Sequence, residues 1–223
     1  MNKKGFTLAE VLITLGVIGV VAAITLPPVI TNYQKKNFGI RAEKAYTTLY
    51  QAIKMSEAQN GELSEWNFNL SNDKFQNGKL FIEKYIQPYV KEMKYCDTGM
   101  TNNKCAKYVG CGASGINYYL PYGEMLGVCA YPEDNTIYLN IGLNKNPKSV
   151  RGVFSCSIDK RLKAFVPAHY RPGLSRESIL NGYSSSNGYN VICSKTSKGG
   201  YYNYACSALL YVDNFEVTDD YPW

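Results

Sequence analysis

Polar and apolar positions divide this chain into stretches of different rhythm. Between Val11 and Ile30 no charge interrupts the sequence, and only Thr14 and Thr25 carry polar side-chain groups. As a helix, about 20 such residues suffice to cross the roughly 30 Å hydrocarbon layer of a bilayer. After Lys35 the rhythm becomes amphipathic: Phe38, Ala42, Ala45, Leu49, Ala52 and Ile53 recur at three- and four-residue steps. That spacing predicts a single apolar stripe on a helix that stops at Asn60-Gly61. Pro27 and Pro28 predict a helix break between the two halves, with the helix resuming beyond them. If continuous and straight, Phe6 to Gln59 would span roughly 80 Å at about 1.5 Å per residue. A short second helix is expected over Lys79 to Gln87, ending at Pro88.

From Ile116 the pattern shortens. Ile116–Leu120, Leu126–Tyr131, Thr136–Leu143, Gly152–Ile158 and Arg161–Val166 read as strands separated by turn residues. The last two look like a hairpin turning on Asp159-Lys160, and connections this short favour antiparallel order. Leu174 to Asn190 shows little periodicity and is expected to be irregular. Tyr202 to Val212 predicts a helix, and the aromatic end Asp219–Trp223 is expected to pack back onto the domain. The fold class is α+β: a long N-terminal helix on a small antiparallel sheet.

The chemistry is concentrated at the start. Lys3-Lys4-Gly5 leads into Phe6-Thr7-Leu8-Ala9-Glu10 and then directly into the apolar run. Glu10 lies inside that run, and an ionisable group within a membrane span is a functional-site hypothesis by default. In a secretory signal the small-residue cut site follows the apolar region. Here the plausible site, Gly5 before Phe6, precedes it, so cleavage would leave the helix on the mature chain. This arrangement resembles the class III signal of type IV prepilins and type II secretion pseudopilins. Gly5-Phe6-Thr7-Leu8-Ala9-Glu10 fits that pattern except at Ala9, where a larger aliphatic residue is usual.

The resemblance implies cleavage after Gly5, N-methylation of Phe6 and a filament-assembly role for Glu10. It assigns residues 1–5 to a leader, 6–34 to a membrane and filament-core helix, and 35–223 to an amphipathic helix with an exported lollipop-like globular domain. It places prolines such as Pro27 where family members loosen the helix, Pro28 being an extra. The physical reason is charge pairing: a buried Phe6 amine and a buried Glu10 carboxylate are each costly alone and tolerable together. Repeating one such head-to-tail contact without closure gives a helical filament. The family's partners are other pilins, a prepilin peptidase/N-methyltransferase, an inner-membrane platform protein, an assembly ATPase and, before assembly, membrane lipid. Lys3 and Lys4 favour a cytoplasmic N-terminus in the inner membrane, with a periplasmic or extracellular filament as the destination.

Composition narrows the remainder. The 223 residues fit one helix plus one globular domain, and a net charge of +6 is too mild to argue for nucleic-acid binding. Seven cysteines (Cys96, Cys105, Cys111, Cys129, Cys156, Cys193 and Cys206) in an exported chain point to disulfides, with one left over. Many pilins close a C-terminal loop with a disulfide, which favours Cys193 with Cys206. Cys96 with Cys105, or Cys105 with Cys111, would staple the Gly-rich segment, and the spacings do not match zinc knuckles.

Ile137 to Pro147 is similar to the strand and loop around the calcium site of some major pseudopilins. Asn140, Asn144 and Asn146 offer only neutral oxygens there and Lys145 opposes a cation, so no cofactor is expected. His169 is the single histidine, without a nucleophile signature, and reads as a solvated loop residue. An enzyme is therefore not expected. The alternative to a filament subunit is a minor, tip-located pilin. It would hold DNA or glycan through tyrosine-rich loops at Gly182–Tyr189 and Gly199–Tyr202, with Lys195 and Lys198 adding charge.

Overall fold

The computed structural model describes residues 5, 7–96, 116–143, 152–184, 190–194 and 202–223. It comprises two compact units, Met1–Asn37 and Phe38–Trp223. Helix α1 (Leu8–Asn60) belongs to both.

In the second unit α1 buries Phe38, Ala42, Ala45, Tyr46, Leu49, Ala52 and Ile53, the stripe foreseen from spacing plus Tyr46. Gly61, at φ +82°, ends the helix in the left-handed conformation that glycine adopts without a Cβ penalty. The indole of Trp66 then donates to the Gly61 carbonyl at 2.9 Å, folding the chain back.

The short helix α2 runs over Lys74–Tyr85, beginning five residues before the expected Lys79. Its start is an N-cap rather than an apolar step: the Asp73 carboxylate accepts from Gln76 N at 2.7 Å. Asn77, fully buried, accepts from Leu70 N and donates to the Phe68 carbonyl, so one amide satisfies the loop that leads into the helix. Gly78 lets α2 lie close to the sheet, since a Cβ there would meet Ile116, Val128 and Ala130.

The sheet is a six-stranded antiparallel meander in sequence order, β1 (Lys94–Cys96), β2 (Ile116–Tyr119), β3 (Met125–Tyr131), β4 (Thr136–Gly142), β5 (Val153–Asp159) and β6 (Ala164–Pro167). β1 has no sequence signature because three residues are too few for alternation to show. One sheet face supplies Leu126, Val128, Leu139, Ile141, Phe154 and Ile158 to the core that α1 closes. Tyr46 joins the two layers: its ring stacks on Phe165 at 4.9 Å and its hydroxyl donates to the Phe165 carbonyl. The opposite face is buried too, through Asn117, Tyr138, Asn140, Ser155 and Ser157.

The β5–β6 turn is longer than Asp159-Lys160 alone. Asp159 pairs with Ala164, and its carboxylate accepts from Arg161 N and Leu162 N, which commits those donors to the turn instead of the ladder. β6 therefore starts at Ala164, not Arg161. It ends at Pro167, where the β5 edge is finished differently: Ser155 N donates to Ser207 Oγ at 2.8 Å. That hydroxyl satisfies a backbone group left unpaired by the short strand.

The stretch expected to be irregular instead holds helix α3 (Arg176–Asn181) and a two-stranded ladder, β7 (Tyr183–Ser184) with β8 (Asn190–Val191). Neither is long enough to complete a second apolar period. α3 is specified by its cap, the Ser175 hydroxyl accepting from Ser178 N. Helix α4 (Tyr202–Val212) fits the expected span and buries Ala205, Ala208, Leu209 and Leu210. The C-terminal residues do pack back, with Tyr221 only 2% exposed.

Candidate functional site

The site begins at the first turn of α1. Thr7 is the N-cap and Glu10 the third helical residue, and the two satisfy each other. Thr7 N and Thr7 Oγ1 donate to Glu10 Oε2 at 2.8 and 2.9 Å, while Glu10 N donates to Thr7 Oγ1 at 3.3 Å. This is a reciprocal capping box, readable as Thr-x-x-Glu just before an apolar run. The sequence reading treated Glu10 as a carboxylate awaiting a partner. In the single subunit it already has a local one, and it also favours the positive end of the helix dipole. Gly5 precedes this turn with open space around it. Phe6, the expected methylation position, lies outside the described residues, as do Lys3 and Lys4.

Beyond Glu10 the helix presents apolar side chains on every side. Leu12, Ile13, Val17, Ile18, Val21 and Ile24 are all exposed, none below 55%. No residue of this stretch is buried, and α1 is long and apolar enough to cross a membrane. Its threonine hydroxyls are satisfied within the helix: Thr14, Thr25 and Thr31 donate to the carbonyls of Val11, Val21 and Pro27. Internal satisfaction of this kind is what an apolar surrounding demands.

Pro27 and Pro28 do not break the helix, which runs through them. The expected break is corrected for a physical reason. Proline fixes φ near the helical value, so the conformation survives while two hydrogen bonds to the preceding turn are lost. The prolines remain a place of reduced backbone bonding inside the apolar half.

The sheet-bearing unit holds the other predicted residues. Cys193 and Cys206 are joined by a disulfide that ties the β8 segment to α4. Cys96 and Cys129 each take part in a disulfide as well. Cys105 and Cys111, named in the other candidate bridges, lie outside the described residues. Cys156 is a free thiol sealed in the core, and burial pushes its pKa well above the usual cysteine range.

His169 is not a solvated loop residue. It is 7% exposed, stands at φ +62° just after β6, and packs 5.3 Å from the ring of Tyr138. Burial lowers its pKa to about 4, so it is neutral at physiological pH. The turn after Pro167 folds His169 onto the second face of the sheet, which local polarity did not foreshadow.

Asn140 is buried in β4 and donates to Cys129 Sγ; Asn144, Lys145 and Asn146 lie outside the described residues. In the tyrosine-rich loops, Tyr183 is buried while residues 185–189 and 195–201 are outside the described set. The structure thus brings Thr7 and Glu10 together, and Cys193 with Cys206.

Residues 28–223 match a family described as a family of unknown function (DUF6613), and the chain belongs to that family. Residues 1–26 match the prokaryotic N-terminal methylation motif. The N-terminal segment is accordingly of the type IV pilin and pseudopilin prepilin kind, and the chain is a pilin-type precursor with a matching α+β architecture. No curated protein and no solved structure matches the chain.

Proposed function

We propose that this chain is a structural subunit polymerised into a type IV pilus-like or type II secretion pseudopilus filament after cleavage at Gly5-Phe6 and N-methylation of Phe6. The observation that carries the reading is the unburied, all-apolar first half of α1, headed by Glu10. So large an exposed apolar surface needs lipid or other copies of the same helix around it. On this reading residues 1–5 are removed, 6–34 move from bilayer to filament core, and 35–223 form the exported part. The N-terminus starts in the cytoplasm with the span in the inner membrane.

Assembly then exchanges partners at one oxygen. Glu10 leaves the Thr7 donors of its own capping box and meets the Phe6 amine of a neighbouring subunit, two charges that desolvate together. The enzymes and machinery required are a prepilin peptidase/N-methyltransferase, a platform protein and an assembly ATPase. The subunit itself performs no catalysis.

The test is intact-mass and N-terminal analysis of the protein from its native membrane, alongside a Glu10→Ala variant. A chain starting at methylated Phe6, with Glu10→Ala processed yet missing from sheared filaments, is the expected result. An intact Met1 terminus, or cleavage after the apolar run, would overturn the reading.

A further inference from the structure

The last eleven residues are held at two separate points, and between them they cover the first gripped turn of α1. The first point is Arg176, at the start of α3. Its guanidinium binds Asp213 Oδ1 at 2.7 Å, Asp220 Oδ2 at 2.6 Å and Thr218 Oγ1 at 3.1 Å. Thr218 also donates to Asp213 Oδ2, so three tail residues close around one cation. Arg176 is itself held steady, because α3 is capped by Ser175 and anchored by buried Ile179, whose carbonyl accepts from Cys193 N. The second point is Phe38, the first residue of the compact C-terminal unit. Its ring meets those of Tyr221 at 6.1 Å and Trp223 at 5.5 Å.

Between the anchors, the Phe215 carbonyl presses on α1 at Gly39, where a Cβ would collide with it. Asn214 and Phe215 both take positive φ to make that approach, a costly conformation for non-glycine residues. The tail also carries Asp213, Glu216, Asp219 and Asp220 with no lysine or arginine among them. Arg176 binds two of these carboxylates, and without it Asp213 and Asp220 would lose the cation they share.

We propose that Asp213–Trp223 is a clasp whose ionic latch at Arg176 and aromatic seat at Phe38 open together, and whose closure holds the Phe38–Gly39 start of the gripped helix, ahead of the separate anchor that Arg41 makes to the sheet. The coupling is mechanical. Asp220, which binds Arg176, is adjacent to Tyr221, which fills the seat under Phe38. Releasing the latch frees the segment that carries the seat. The clasp thereby sets whether the grip on α1 reaches beyond Arg41 to Phe38, and this holds whether or not the chain polymerises.

Hydrogen exchange read by mass spectrometry on the full chain in detergent micelles tests it. The comparison is wild type, Arg176→Gln, and a chain ended after Thr218. Losing both ring contacts on Phe38 should speed exchange in the Phe38–Tyr46 stretch by about tenfold or more. The amides of β3, β4 and β5 should be unchanged in both variants, and Arg176→Lys should restore only part of the protection, since an ammonium cannot fork. Faster exchange confined to the tail in Arg176→Gln would show that latch and seat are uncoupled and overturn the proposal. Faster exchange spread evenly over the sheet would overturn it too, making the tail an ordinary part of the core.

Discussion

Arg41 Nε lies 3.0 Å from Glu124 Oε1, an ion pair that joins α1 to the β2–β3 turn. The glutamate side chain is only 5% exposed, whereas Arg41 is a third exposed. Arg41 Nη1 also donates to the Leu143 carbonyl just after β4, so one guanidinium ties the helix to two places on the sheet. Arg41→Ala would leave a buried carboxylate without its cation. Discounting the full buried-pair penalty for the exposure of Arg41, the expected loss is about 2 kcal/mol. Chemical denaturation of the full chain in detergent measures it, and a double variant with Glu124→Gln should recover part of the loss.

Gly39→Ala should be disruptive although alanine is the better helix former. The added methyl meets the Phe215 carbonyl, which is backbone and cannot rotate away. A cost of about 1–3 kcal/mol is expected from overpacking. Gly16→Ala and Gly19→Ala are the controls, since nothing lies within 4 Å of either position. Those two should leave the chain as stable as before, which separates the clash with Phe215 from the general effect of alanine in a helix.

His169 should make the fold sensitive to mild acid. Its pKa falls from 6.5 to about 4 on burial, so the unfolded chain binds the proton more readily. The stability it contributes is therefore complete above pH 6.5 and is lost as pH falls towards 4, on the order of 3 kcal/mol in all. Denaturation midpoints of wild type and His169→Asn, compared from pH 4 to 7, should converge as the pH is lowered. Parallel curves would refute the burial argument.

Cys156 should resist alkylation in the folded protein and react once the chain is unfolded. It is a fully buried free thiol, and its raised pKa keeps the thiolate scarce. Maleimide labelling followed by peptide mapping, with and without denaturant under non-reducing conditions, should modify Cys156 only in denaturant. Labelling at Cys156 under native conditions would mean that the core around β5 opens.

Thr7→Ala should fray the start of α1. It removes both hydroxyl bonds to Glu10 and leaves the backbone one, a cap worth about 1 kcal/mol. Amide exchange over Leu8–Ile13 in micelles reads the effect. Thr7→Ser, which keeps the hydroxyl, should behave as wild type.

Where a sequence signal repeats, structure followed it. The α1 stripe from Phe38 to Ile53 repeats over several turns, and Ile137, Leu139 and Ile141 alternate in β4 as strand positions do. Where the start of an element is set by a single cap, the apolar pattern missed that start. Asp73 starts α2 and Ser175 starts α3 with one hydrogen bond each, and neither leaves a periodic trace. The Thr7–Glu10 box was legible as Thr-x-x-Glu, but the charge of Glu10 in an apolar run drew the reading towards a distant partner.

The N-terminal segment was legible in sequence alone, because its signal is one of local order: a small residue before Phe6, a carboxylate at a set spacing, and unbroken apolarity long enough for a bilayer. Tertiary structure decided the rest. Burying His169, joining Arg41 to Glu124 and seating Tyr221 and Trp223 on Phe38 all depend on residues far apart in the chain. Contacts of that kind carry no periodicity, since each arises from the shape left by everything packed around it.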